Sequence, residues 1–119
     1  MELMIQTTEL LKHIDQLKDN YEHNDPPQNQ KDKDFFHYVK EATLPVYNLI
    51  DDWESNALTF LKTKQSNVHP QQIMSTRDNL ELLLMHSYYI DVRRKRYMEL
   101  YQSICYVLDN LVQDIEVND

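Results

Sequence analysis

The 119-residue chain contains no glycine. Glycine supplies the positive backbone angles of tight turns and the bare backbone that lets a phosphate group approach closely. A chain without it cannot carry a Gly-rich phosphate loop, a dinucleotide-binding turn or the nucleophile elbow of α/β-hydrolases. The absence removes several large enzyme classes. It also favours an all-helical fold, because apolar residues recur at three-and-four spacing almost from end to end.

Cysteine is nearly absent, and long apolar runs are absent altogether. The single cysteine, Cys105, has no partner for an internal disulfide, which agrees with a reducing compartment. The longest aliphatic run, 82–85, is far shorter than the roughly 20 residues needed to span a bilayer. Because the chain opens Met1-Glu2-Leu3, without a basic segment or a cleavage site, we expect no signal peptide and a cytoplasmic location.

Acidic residues outnumber basic ones, which gives a net charge of −8 and an isoelectric point near 5.0. Such a molecule repels nucleic acid and anionic membranes, so we expect neither as a partner. The charge is uneven, because four of the twelve basic residues are consecutive. We call them the basic cluster: Arg93, Arg94, Lys95 and Arg96.

The first half of the chain predicts two helices. Apolar residues from Leu3 to Tyr21 alternate at four and three, which indicates an amphipathic helix over about 2–21. Pro26-Pro27 ends it, and Asp32 or Asp34 is suited to cap a second helix over about 33–65. Pro45 interrupts that second stripe, so we expect either a kink near residue 44 or two separate helices.

The second half predicts a third helix over about 70–89, with Pro70 at its first position, and a fourth over about 92–116. Neither glycine nor proline separates them, yet an unbroken helix from Pro70 to Ile115 is about 70 Å long. We therefore expect a break between Tyr89 and Arg93, capped by Asp91. The alternative is an unbroken helix that pairs with a second chain.

Together these features predict one all-α domain over residues 1–119, an antiparallel up-down four-helix bundle with helices crossing at about 20°. At 14.4 kDa such a domain is large enough to bury a core of its own. A monomer is favoured, and a homodimer is the alternative.

Core-type residues recur along the chain in a recognisable order and separation: Phe35-Phe36, Val39-Lys40, Trp53, Ala57-Leu58, Val68-His69, Gln72-Ile73, Asn79, Ser87-Tyr88, Lys95-Arg96-Tyr97, Ser103 and Tyr106-Val107-Leu108. Over nearly everything after the proline loop, the chain resembles the YppE-like family of small bacterial proteins. The resemblance implies a four-helix bundle and a cytosolic protein of low-GC Gram-positive bacteria. It implies no activity, because the family is a domain of unknown function.

Two positions depart from the family pattern. The family proline directly follows the lysine that matches Lys40, whereas this chain has Glu41 there and Pro45 one turn later. The family basic motif tends to end in phenylalanine, whereas this chain has Tyr97, whose hydroxyl needs a partner if it is buried.

No arrangement of residues predicts catalysis, a metal or a cofactor. Carboxylate-bridged metal sites in bundles need Glu-x-x-His pairs, which this chain lacks. His86 and Ser87 are adjacent on a helix, so they point about 100° apart and cannot act as base and nucleophile. The nearest pairs at one-turn spacing are typical of charged helix surfaces: Asp34 with His37, Glu9 with His13, and His37 with Glu41. We expect the protein not to be an enzyme.

The segment from Tyr88 to Tyr106 is the candidate site, because it combines the basic cluster with five of the eight tyrosines. Four cations in the first turn of a helix oppose the helix dipole, so something should offset them. One interpretation is an ion-pair network that closes this end of the bundle with Glu22, Asp25, Asp32 and Asp34.

The other interpretation is a binding site, in which the cations hold a carboxylate or phosphate group and Tyr88, Tyr89 or Tyr97 provides a platform. The candidate partner- or anion-binding residues are Arg93, Arg94, Lys95, Arg96, Tyr88 and Tyr97. We expect a non-enzymatic module that binds an unidentified protein partner. The alternative is binding of a small anionic or phosphorylated ligand at this end.

Overall fold

The computed structural model describes residues 2–118. Within that range it contains four α-helices and no strand: α1 (Glu2–His23), α2 (Lys33–Thr63), α3 (Pro70–Tyr89) and α4 (Arg94–Val117). Every predicted helix end lies within two residues of the observed one. The predicted all-α, four-helix fold is confirmed.

The four helices run alternately up and down. The side chain of Asn56, late in α2, bonds to Gln6, early in α1, and Arg94, at the start of α4, pairs with Glu22 at the end of α1. Among residues 2–118, the backbone of α1 and that of α3 approach each other and both remaining helices, whereas the backbones of α2 and α4 do not come close to one another. The cross-section is therefore a rhombus whose short diagonal joins α1 and α3.

The core contains the apolar stripes of all four helices. It also contains the one tryptophan of the chain, whose indole N–H has a hydrogen-bond acceptor. Trp53 is fully buried, and its indole nitrogen donates to the hydroxyl of Thr7 at 3.1 Å. Thr7 in turn donates to the carbonyl of Leu3 at 2.7 Å. Among the described residues, every buried side-chain nitrogen or oxygen has a hydrogen-bond partner, as a unique core requires.

Helix α2 is continuous through Pro45, which excludes the two-helix alternative. Proline removes the hydrogen bond to the carbonyl four residues earlier, here that of Glu41. Both residues are exposed, so water can satisfy this carbonyl. A kink near residue 44 stays a prediction.

The start of α2 is capped as the sequence predicts. The carboxylate of Asp32 accepts a hydrogen bond from the backbone N–H of Asp34 at 2.9 Å. This bond satisfies one of the amides that a first helical turn leaves without an intrahelical partner.

The predicted break between the third and fourth helices is confirmed. Helix α3 ends at Tyr89 and α4 begins at Arg94, with Ile90 in the left-handed conformation (φ 50°, ψ 49°) between them. The alternative of one unbroken helix is therefore wrong. None of the helices in the described range is long and apolar enough to span a bilayer.

Candidate functional site at the α3–α4 junction

The α3–α4 junction, residues 90–93, reverses the direction of the chain and contains no glycine. The N–H of Ile90 donates to the carbonyl of His86 at 2.9 Å. Ile90 itself is in the left-handed conformation, which costs an L-residue about 1–2 kcal/mol. Ile90 is the one residue with a positive φ in the described range. Because a β-branched residue rarely adopts this conformation, surrounding contacts must hold it there.

Two side chains at the end of α1 supply these contacts. The side-chain amide of Asn20 donates to the carbonyl of Ser87 at 2.7 Å, and the hydroxyl of Tyr21 donates to the carbonyl of Val92 at 2.6 Å. The Ser87 carbonyl is one of those that the end of α3 leaves without a helical donor. Helix α1 therefore fastens the junction from across the bundle.

Beneath the junction lies a buried tyrosine pair. The rings of Tyr21 and Tyr97 are parallel within 5°, with centroids 3.9 Å apart. The Tyr97 hydroxyl lies 2.6 Å from the Ser87 hydroxyl, which gives its own proton to the carbonyl of Leu83 at 2.5 Å. Tyr97 is therefore the donor to Ser87. Burial raises the pKa of Tyr97 to about 12.

The burial of Tyr97 corrects one site prediction. Its side chain is 0% exposed, because it occupies the inward seam of α4, so it cannot offer a platform to a partner at the surface. The same periodicity that predicted the helix already placed Tyr97 on that seam. Asn20 and Ser87 were missed as junction contacts, because neither carries a local signal for a bond between helices.

Asp91 does not cap α4, which corrects a second prediction. The cap residue is Arg93 (φ −69°, ψ 151°), and its side chain accepts no hydrogen bond from the helix. Asp91 instead turns back onto α3, where one carboxylate oxygen lies 2.7 Å from Nδ1 of His86. The first turn of α4 therefore has no side-chain acceptor on its cap residue.

The basic cluster is exposed and largely unpaired. Arg94 forms one ion pair, with Glu22 at 3.2 Å, although its side chain is 64% exposed. Within residues 2–118, Arg93, Lys95 and Arg96 form no ion pair. An exposed pair contributes at most about 1 kcal/mol, so the predicted network is reduced to one weak interaction. Hydrogen bonds and the tyrosine pair close this end of the bundle instead.

Tyr88 and Tyr89 point toward α2 rather than toward the basic cluster. The ring of Tyr88 lies 6.0 Å from that of Tyr38, and the ring of Tyr89 lies 5.1 Å from that of Phe35, both edge-on. Burial raises the pKa of Tyr88, and the neighbouring Tyr38 adds to the effect. In the described range the one cation–π contact joins Lys18 to Tyr101, so the structure does not combine the tyrosines with the cations.

The chemistry that this surface can perform is the binding of negative charge. It presents three unpaired cations beside the first-turn amides of a helix, and both features attract anions. Among residues 2–118, no three His, Cys, Asp or Glu side chains converge into a metal-binding group.

Comparisons with known proteins agree with the fold. Residues 7–115 match the sequence model of a bacterial domain of unknown function (DUF1798). The uncharacterised protein YppE of Bacillus subtilis is 30% identical over 87 residues, which are 72% of this chain and 71% of that protein. The resemblance predicted from the sequence is confirmed.

Two solved structures of YppE from Bacillus subtilis have the same fold. The crystal structure superposes with a TM-score of 0.85 at 25% identity, covering 99% of this chain and 95% of that chain. The solution NMR structure gives a TM-score of 0.83 at 22% identity, covering 100% and 96%. Neither description names an activity or a ligand.

Proposed function

We propose that this chain, which belongs to the bacterial DUF1798 family of unknown function, is a non-enzymatic interaction module of the cytoplasm. Its basic cluster binds an acidic segment of a partner protein. Arg93, Lys95 and Arg96 hold the carboxylates of that segment, and Arg94 contributes while it stays paired with Glu22.

The observation that supports this function is that three exposed cations at the start of α4 form no ion pair within residues 2–118. A cation at this position opposes the helix dipole, at a cost of about 0.3–1 kcal/mol for each charge. A partner carboxylate would remove that cost. It would also form charge-assisted hydrogen bonds with two forked guanidinium groups, which bind carboxylates in a bidentate manner.

The electrostatics of the whole molecule support the same proposal. The net charge is −8, so the basic cluster is a positively charged patch on a molecule that is negatively charged overall. An acidic segment is repelled by most of the molecule and attracted to this one end. Such contrast orients the encounter and fixes the register of a complex more than it increases affinity.

A second candidate is a small anion, such as a phosphate group, at the same place. The specific observation in its favour is the uncapped start of α4: Arg93 supplies no side-chain acceptor to the amides of the first turn. An anion there would accept hydrogen bonds from these amides and from the cations together.

Affinity purification from the native host tests the proposal. The bait is the full chain, compared with the variant Arg93→Gln/Lys95→Gln/Arg96→Gln. The matched control, Lys31→Gln/Lys33→Gln/Lys62→Gln, removes the same charge from three other exposed positions. We expect a protein with an acidic segment to be retained by the wild type and the control and lost from the first variant.

If the same proteins are recovered with all three baits, the proposal is wrong. Thermal melting with added inorganic phosphate separates the second candidate. A rise in melting temperature in the wild type that disappears in the first variant would support a small-anion site, since ligand binding to the folded state stabilises it.

A further inference from the structure

A second exposed surface lies on the outer side of the α2–α3 pair. Several large apolar side chains are exposed there, among them Leu44 at 56% and Leu82 at 43%. Isolated exposed apolar residues are common, whereas a contiguous group marks a contact surface. The large apolar side chains that are exposed on α2 and α3 are Phe36, Tyr38, Leu44, Met74 and Leu82.

The centre of this surface is a groove of about 450 Å³, which we call the α2–α3 groove. It is lined by Tyr47, Asp78, Glu81, Leu82 and Met85. Leu44 lies one turn before Tyr47 on the same side of α2, and Met74 lies one turn before Asp78 on α3. Tyr47 therefore lines the α2 wall of the groove, Leu82 and Met85 line its α3 wall, and Leu44 and Met74 lie beyond its ends.

The charges beside the groove are mainly negative. Arg77 binds three carboxylates at once: Asp51 at 2.5 Å, Glu81 at 2.8 Å and Glu54 at 3.1 Å. One guanidinium cannot neutralise three carboxylates, and Asp78 adds a fourth. The residues that line the groove include two carboxylates and no cation.

We propose that the α2–α3 groove binds a basic amphipathic helix of a partner protein. The apolar stripe of that helix lies on Leu44, Leu82 and Met85, and its lysines or arginines face Asp78 and Glu81. Methionine is unbranched and adapts its shape, which suits a surface that accepts a helix. This inference does not depend on the function proposed for the basic cluster.

Charge decides between this occupant and a second copy of the chain. In a two-fold symmetric dimer the same patch faces itself, so the carboxylates of the two grooves would oppose one another. An anionic membrane meets the same repulsion. A basic helix gains both from the apolar area and from the charges.

The test is an NMR titration of the full chain with a synthetic Lys/Leu amphipathic peptide of about 18 residues, or five helical turns. A Glu/Leu peptide of the same pattern is the control ligand. We expect saturable shifts of the backbone amides along the α2–α3 groove with the Lys/Leu peptide and none with the Glu/Leu peptide.

Leu44→Ser/Leu82→Ser should weaken that binding about tenfold, as the loss of two central apolar contacts does. Its melting temperature should fall by only a few degrees, because both side chains are already about half exposed. The matched control Ile5→Ser/Tyr106→Ser removes exposed apolar groups from α1 and α4 and should bind like the wild type.

Three results would overturn the proposal. The shifts could spread over the whole acidic surface, the Leu44→Ser/Leu82→Ser variant could bind unchanged, or the Glu/Leu peptide could bind equally well. Sedimentation of the chain without peptide gives a further check. A concentration-dependent dimer that the variant abolishes would assign the groove to a second copy.

Discussion

Ile90 is the residue at which the absence of glycine has its largest structural consequence. It adopts φ 50° at the end of α3, a position that usually carries glycine. Its side chain packs against the core, which offsets part of the backbone cost. Asn20 and Tyr21 hold the backbone on both sides of it, by hydrogen bonds from α1 to the carbonyls of Ser87 and Val92.

The backbone conformation of Ile90 reverses the usual order of alanine and glycine. Both Ile90→Ala and Ile90→Gly lose the apolar contact, but only glycine removes the left-handed penalty, so we expect Ile90→Gly to be more stable by about 1 kcal/mol. Urea unfolding measures the difference. At Glu99, an exposed position within α4, the same pair should favour alanine by about 1 kcal/mol. Equal or reversed order at Ile90 would show that no left-handed strain is present.

Ionisation of the buried Tyr97 hydroxyl should lower the stability of the protein at alkaline pH. Its pKa is raised to about 12, against 10.0 for an unperturbed tyrosine, so the folded state favours the protonated form. This preference contributes up to about 2–3 kcal/mol to the unfolding free energy. The contribution is fully present below pH 10 and is lost as the pH rises through 12.

We therefore expect Tyr97→Phe to lower the unfolding free energy at pH 7 by about 1 kcal/mol, because phenylalanine cannot form the hydrogen bond to Ser87. Between pH 10 and 12 its unfolding free energy should decline less steeply than that of the wild type. Chemical denaturation across this pH range measures both effects. Parallel curves for the two proteins would contradict the proposed role of the buried hydroxyl.

At the scale of helices and loops, the chain's own periodicity accounts for most of the fold. The buried stripe that ends at Tyr21 predicts α1, and the buried stripe that begins at Ile73 predicts α3, because each places one apolar face against the other helices. Asp91 was assigned wrongly because capping preference is local. The sequence does not reveal that His86, on the preceding helix, would hold that carboxylate.

The candidate site was less predictable than the helices. Position in the seam indicated that Tyr97 is buried, but the direction of Tyr88 depends on how α3 packs against α2. Which cations remain unpaired depends on whether acidic residues at the α1–α2 end of the bundle reach them. Within residues 2–118 only Glu22, in the last turn of α1, does so. Ring contacts and ion pairs between side chains of different helices follow no periodic pattern in the sequence, so the sequence alone does not predict them.

The α2–α3 loop is held at the opposite end of the bundle by one carboxylate of α4. Asp114 accepts hydrogen bonds from the Ser66 hydroxyl and from the backbone N–H of Asn67, the latter at 2.8 Å. We expect Asp114→Ala to destabilise the protein by about 1–3 kcal/mol, since two donors lose their charged acceptor.

Thermal melting and amide hydrogen exchange at Asn67 measure this effect, and exchange at Asn67 should accelerate. Asp109→Ala, an exposed acidic position on the same helix, is the control and should leave both unchanged. If the two variants behave alike, Asp114 does not secure the loop.

At the scale of the whole molecule, two surfaces of opposite charge lie on one helical bundle. The basic cluster stands at the start of α4, and the α2–α3 groove carries carboxylates and apolar side chains. An acidic ligand and a basic helix could therefore bind to the same molecule at different places. Both interactions should weaken as ionic strength increases, because exposed charges are screened over about 8 Å at physiological salt.

The central claim is that hydrogen bonds from α1 close the junction end of the bundle and leave the basic cluster available to a partner. The unfolding free energy of Arg93→Gln/Lys95→Gln/Arg96→Gln, measured by urea denaturation against the wild type, tests it most directly. We predict a value that is unchanged, if salt screens the helix dipole, or up to about 3 kcal/mol higher, because three cations leave the positive end of that dipole. A decrease of more than about 1 kcal/mol would contradict the account, since it would mean that these cations fasten the bundle.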